Sequence, residues 1–373
     1  MQKKYTSLGL MSGTSGDGVD ASIICSDGKN EIQVLKERYY DYDDDIYRKI
    51  HSLKEKIFKP NDLKIYSKEI LELERKITIF HAKIISEFQI DYNDFIVGFH
   101  GQTIYHNPKE KISNQLGDGN LLHQLTNKKI IFNFRKNDIL NGGEGAPLTP
   151  IFHQLIATQK KFDLPVCILN IGGISNITII KEPLGSYNLF SKDLGPGNCL
   201  IDTWVRKNSN YKFDIDGKLA ASGKTNEVIL EQAQNLFTNR IDKNQISFDI
   251  NDFDISFIRG LNLEDGAATL TTFTANIISE ELILLQQNTQ KKFSRILICG
   301  GGRKNKVLLD RIKKNLISDI KIQLIDDYNI NGDFVESQAF AYLAIRSILN
   351  LPISFPSTTG CEIPSIGGEI IEN

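Results

Sequence analysis

Apolar positions along the chain alternate between short β-type runs and longer segments at helical spacing. Ser7–Leu10 and Ala21–Cys25 read as strands flanking a turn of small residues. Glu31–Tyr39 reads as a third strand, running into the acidic stretch Asp41–Asp45. Between Asp62 and Phe88, residues Tyr66, Ile70, Leu73, Ile77, Phe80 and Ile84 recur at steps of three and four. That spacing predicts one face of a long helix, and Pro60 suits its start. Phe95–Phe99 and Ile130–Phe132 complete a first group of strands.

A second series follows the loop Gly142-Gly143-Glu144-Gly145. Val166–Asn170 and Asn176–Ile180 are β-type runs joined by Ile171-Gly172-Gly173-Ile174-Ser175. Helices are expected from Cys199 toward Arg206 and from Ala267 to Gln287. The strand Ile296–Cys299 ends in Gly300-Gly301-Gly302 and leads into a helix over Lys306–Leu316. A strand at Ile322–Ile325 and a helix over Val335–Leu349, broken near Pro352, close the pattern. Two groups of strands followed by helices predict an α/β protein of two lobes. The expected division is 1–135 and 136–350, with the terminal segment 351–373 a candidate to pack back on the first lobe.

Length agrees, since 373 residues exceed one small core at roughly 150 residues per domain. Charge removes other classes. Lys+Arg 44 against Asp+Glu 46 leaves a net −2, with no bulk field for nucleic acid or an anionic membrane. There is no apolar run of about 18 residues, and the polar start Met1–Tyr5 lacks the layout of a signal peptide. Five scattered cysteines without a Cys-x-x-Cys pair argue against a disulfide framework or structural zinc and for a reducing cytoplasm.

Candidate chemistry lies in the glycine-rich loops. Met11-Ser12-Gly13-Thr14-Ser15-Gly16-Asp17-Gly18-Val19-Asp20 can present hydroxyls and amides to phosphate, and its aspartates can hold magnesium through water. An ordinary hairpin turn is the competing reading. The loop is not a Walker A sequence, because Val19 stands where a lysine would be needed. Gly172-Gly173 and Gly300-Gly301-Gly302 are further turns at strand ends, and together the loops favour a nucleotide cleft. Asp193, ahead of Gly195-Pro196-Gly197, should sit at a strand end, where it acts as a proton acceptor or caps a turn. Glu336 is a second candidate carboxylate, with surface exposure as its default. His100-Gly101-Gln102-Thr103, Arg135 and Glu144 supply donors and acceptors suited to a polyhydroxylated ligand or to structural hydrogen bonds.

Taken in order, Met11–Asp20, His100–Thr103, Gly142–Leu148, Asn170–Asn176, Gly195–Asn198 and Cys299–Gly302 resemble the anhydro-N-acetylmuramic acid kinase family over essentially the whole chain. The resemblance implies the actin, hexokinase and heat-shock chaperone superfamily, with two related α/β lobes around an ATP cleft. It implies hydrolysis of the 1,6-anhydro ring with transfer of the ATP γ-phosphoryl group to O6, giving N-acetylmuramic acid 6-phosphate in cell-wall sugar recycling. Asp193 then matches the base that activates water at C1, and Glu336 a second carboxylate near that water. Gly13 through Asp20 match the ATP phosphate loop, and His100, Gln102, Thr103, Arg135 and Glu144 the sugar pocket. Magnesium is implied without its protein ligands, and a homodimer is compatible with the resemblance, although composition supplies no interface. Departures from the family pattern are Asn133 for an acidic residue, Leu194 for threonine and Gly16 for leucine. The competing functions are a conventional sugar 6-kinase that leaves the ring intact and a non-catalytic ATP-driven hinge.

Overall fold

The first glycine loop joins an antiparallel pair, β1 (Tyr5–Ser12) and β2 (Gly18–Ser26). β3 (Ile32–Asp41) adds antiparallel to β2, and β4 (Ile96–Asn107) adds parallel to β1. β5 (Ile112–Leu116) folds back on β4, and β6 (Ile130–Phe132) pairs parallel to it. In this computed structural model, which describes residues 3–183, 188–240, 245–288, 292–316 and 320–372, β1 is buried along most of its length while β3 is half exposed. That gradient marks a central strand covered on both faces and an edge strand covered on one.

One face packs Leu8, Leu10 and Val19 against Ile46 and Ile50 of the helix Asp44–Lys54 and Leu73 and Ile77 of the helix Ser67–Asp91. The opposite face receives the helix Val335–Ile348 at backbone distance. A Cβ on Gly9 would lie 1.9 Å from Ser337 O, and one on Gly98 would lie 2.3 Å from Phe340 O. Bare backbone at those strand positions is what admits the helix.

The second sheet contains β7 (Val166–Ile171), β8 (Ile174–Ile180), β9 (Leu189–Pro196), β10 (Arg295–Cys299) and β11 (Lys321–Leu324). Its order is β9-β8-β7-β10-β11, with β7 antiparallel to β8 and parallel to β10, and β10 parallel to β11. The first sheet runs β3-β2-β1-β4-β6 and ends in β12 (Glu369–Ile371), antiparallel to β6. Both sheets therefore use one order, in which the first glycine hairpin (β1–β2) corresponds to the second (β7–β8). The protein is mixed α/β, built twice on this plan.

The chain divides into one unit of residues 1–162, 182–191 and 333–373 and another of 163–181 and 192–332. This differs from the expected division at 135 and 350, because Val335–Ile348 packs on β1 and β4 and so joins the first unit. The long helix expected over Asp62–Phe88 is two, Pro60–Ile65 and Ser67–Asp91, separated at Tyr66 (φ −95°, ψ 17°). A one-residue break leaves the apolar spacing almost intact, which is why the pattern did not reveal it. The acidic stretch after β3 is a helix start. Asp43 caps the helix Asp44–Lys54 by accepting the Ile46 N–H at 2.8 Å, and Asp44 and Asp45 fall in its first turn, where carboxylates favour the helix dipole.

Candidate active site

In the β1–β2 loop the carbonyls are tied back into the protein. Gly13 O accepts Gln102 Nε2 at 2.9 Å and the Gly16 N–H at 3.2 Å, Thr14 O accepts Lys54 Nζ at 2.6 Å, and Asp17 O accepts the Tyr42 N–H at 2.9 Å. In a trans peptide the N–H points opposite its carbonyl, so these contacts turn the Thr14 and Ser15 N–H groups the other way. Adjacent N–H groups so turned are able to meet an anion. A Cβ on Gly13 would meet nothing nearer than Ser15 Oγ at 3.9 Å, whereas one on Gly18 would meet Tyr40 O at 2.2 Å. Gly13 thus leaves a cradle that a side chain would fill, and Gly18 is a packing glycine. Oδ1 of Asp17 is buried without a hydrogen-bond partner among the described residues, which suits a nearby cation or its water shell.

β4 carries His100, Gln102 and Thr103. His100 Nδ1 donates to Gly101 O at 2.7 Å, leaving Nε2 to accept from Arg135 Nη2 at 2.9 Å. Burial, reinforced by the Arg135 charge, holds the imidazole well below its usual pKa, so it is neutral. Arg135 Nη1 donates to Gly145 O at 2.8 Å, so both terminal nitrogens are oriented by the protein. Glu336, in the first turn of Val335–Ile348, has its carboxyl pushed up by burial, with Arg135 pulling the other way. Gln102 is fully buried, and its Oε1 has no hydrogen-bond partner among the described residues. Thr103 instead accepts from Gln115 Nε2 at 3.3 Å, and the Glu144 N–H donates to Thr359 O at 2.8 Å.

The second unit assembles its own loops. The N–H groups of Gly197 and Cys199 donate to Gly173 O at 2.9 and 3.0 Å, and that of Asn198 to Gly172 O at 2.8 Å. The Gly172-Gly173 turn is thereby fastened to the segment entering the helix Cys199–Asn208. Gly300, at φ 79°, donates to Gly332 O at 3.0 Å, and a Cβ there would lie 2.3 Å from Asn170 Oδ1. A Cβ on Gly301 would meet nothing nearer than 4.0 Å, so again one glycine of the loop faces open space. Asp193 lies inside β9, not at a strand end, because the strand continues through Gly195 and Pro196. It is buried, its N–H donates to Ile246 O at 2.7 Å, and its Oδ2 accepts the Phe248 N–H at 2.9 Å.

Within the first unit, bonds link Gln102 to the Gly13–Asp20 loop and His100 to Arg135, while the Arg135 charge reaches Glu336. Thr103 joins them through its carbonyl, which accepts Gln102 Nε2 at 3.4 Å, while its hydroxyl is engaged by Gln115. Within the second, the Gly197–Cys199 segment fastens Gly172 and Gly173, and Gly300 lies against Asn170 and Ile171, which lead into that turn. Sequence reading missed several supports. Lys54 was hidden in a helix that the acidic stretch masked. Asp138, buried, accepts the Gly145 N–H at 2.7 Å and the hydroxyls of Ser354 and Thr359. Arg303 grips Asp326 through Nε and Nη2 at 2.8 and 3.0 Å and donates from Nη1 to Gly300 O at 3.1 Å. Only Arg303 carried a signal, since it follows the glycine run directly. Among the described residues no group of three or more His, Cys, Asp or Glu could hold a metal ion, and no helix is long and apolar enough to cross a membrane.

The sequence pattern of the anhydro-N-acetylmuramic acid kinase family matches residues 5–373. A curated relative of that name from Pelagibacter ubique (strain HTCC1062) is 53% identical over 377 residues, covering 100% of both chains. One from Zymomonas mobilis subsp. mobilis is 36% identical over 97% of this chain and 98% of its own. Among solved structures, the activator of the 2-hydroxyisocaproyl-CoA dehydratase from Clostridium difficile with bound ADPNP aligns over 92% of this chain and 96% of its own, at 11% identity and a TM-score of 0.43.

Proposed function

The chain belongs to the anhydro-N-acetylmuramic acid kinase family, and from that premise we propose that it couples hydrolysis of the 1,6-anhydro bond to phosphorylation of O6. Asp193 accepts a proton from water as that water adds to C1. The C1–O6 bond breaks, and N-acetylmuramic acid 6-phosphate and ADP are the products. ATP supplies the phosphoryl group that captures O6, and a bound magnesium ion would neutralise the phosphate charge. The sequence of events follows inverting glycoside hydrolysis, with phosphorus in the place of a general acid.

What carries this reading is how Asp193 is held. Its carboxylate is buried in β9 and oriented by the Phe248 N–H, and an acceptor fixed before the reaction requires little rearrangement during it. Glu336 supplies the second carboxylate. The Thr14 and Ser15 N–H groups receive phosphate oxygens over bare Gly13. Asp17 and Asp20 would hold magnesium through water, which suits a cation that keeps much of its hydration. The buried Oε1 of Gln102, with His100, Thr103, Arg135 and Glu144, meets the sugar.

Asp193→Asn tests the assignment. Turnover should fall by about 10²- to 10⁴-fold, the usual loss on removing a positioned base. ATP binding by calorimetry should stay near that of the parent. Undiminished turnover by a folded Asp193→Asn protein would overturn the role of this residue.

A further inference from the structure

The helix Asp44–Lys54 closes on the first glycine loop at two places. A Cβ on Gly16 would lie 2.9 Å from Ile50 Cγ2, so the helix rests directly on the loop backbone. One turn further along the same face, Lys54 is buried and its Nζ donates to Thr14 O at 2.6 Å. Burying an ammonium is unfavourable unless polar or anionic groups meet it. Here the charge sits on the carbonyl side of the Thr14–Ser15 peptide, whose N–H points the opposite way. A cation on a carbonyl also polarises the peptide, which strengthens its N–H as a donor.

We propose that Lys54 is a positioning residue for the polyphosphate end of the nucleotide. It fixes the Thr14–Ser15 peptide with its N–H toward the phosphates and places a positive charge behind that donor. The proposal rests on the reading of Gly13–Asp20 as the phosphate loop. Its effect must be confined to ligands that carry phosphates, whereas a lysine that merely braces the fold would affect every ligand alike.

The test compares the parent, Lys54→Met and Lys54→Arg for binding of MgATP, MgADP and adenosine, with adenosine measured by competition. Lys54→Met should weaken MgATP and MgADP by about tenfold, the size of one charge-assisted hydrogen bond. Adenosine should bind unchanged, and Lys54→Arg should recover most of the loss. Equal weakening of adenosine and MgATP would overturn the proposal, and thermal unfolding of each variant identifies a folding defect. Gly13→Val, which fills the open side of the loop, separates the proposal from its premise. If Gly13→Val abolishes MgATP binding while Lys54→Met leaves it intact, the role of Lys54 falls and the phosphate loop stands. If Gly13→Val also binds MgATP normally, the loop reading falls and the proposal with it.

Discussion

Glu336 is the residue where burial and function pull apart. The helix start favours a carboxylate, yet burial pushes the Glu336 pKa up and Arg135 offsets only part of that. A folded-state pKa above the unfolded one contributes stability that is present below the unfolded value and lost as pH rises through the folded one. Glu336→Gln should therefore raise Tm at neutral pH and change it little near pH 4, as scanning calorimetry would read. In kcat/KM against pH, an acidic limb should lie above the ordinary glutamate range and vanish in Glu336→Gln. Unaltered Tm at neutral pH and an unaltered limb would together contradict this role. The residue type was legible in the sequence, but its burial was not. Glu336 is half-buried and within reach of the Arg135 charge, which stands some two hundred positions earlier in the chain, and no local pattern reports either fact.

At the scale of elements, the glycine loops were legible because each ends an apolar strand, and that pattern is local. Their supports were not. Arg303 holds the Gly300 loop from inside, and Gly332 must lack a side chain because a Cβ there would lie 2.5 Å from Arg303 Nε. Burial pushes the Asp326 carboxyl up, but the Arg303 fork and the Gly332 N–H more than offset it and hold its pKa below the usual value. The stability from this pair is present above the unfolded aspartate pKa and is lost as pH falls through the lowered one. Asp326→Asn leaves a buried guanidinium without its carboxylate. It should reduce stability by about 1–3 kcal/mol and raise the KM for ATP more than it lowers kcat. An unchanged KM for ATP in a destabilised protein would confine the pair to the fold. Asp193 shows the other limit of local reading. The Gly-Pro-Gly sequence suggested a turn, but pairing within the second sheet extends β9 through Pro196.

At the scale of the whole molecule, two strand-rich series in the sequence correspond to two sheets of one order, β3-β2-β1-β4-β6 and β9-β8-β7-β10-β11. Class and a two-lobe organisation were legible because alternation and helical spacing survive in each half, whereas the relation between the lobes was implied by the family resemblance alone. The division of the chain was not, because the second unit is threaded within the first and the helix after residue 333 returns to β1. The close approaches of Gly9 to Ser337 and of Gly98 to Phe340 reveal that return, and such distant pairings leave no trace in local periodicity.

The family sets the sugar that is phosphorylated, and the proposed chemistry turns on Asp193 directing water to C1. Purified protein, ATP, magnesium and anhydro-N-acetylmuramic acid in ¹⁸O-labelled water, quenched before anomeric exchange, measure that step directly by mass spectrometry. One label in each molecule of phosphorylated sugar is the predicted result. Phosphorylated sugar formed without label would mean that solvent never attacks the ring, and the role given to Asp193 would be lost.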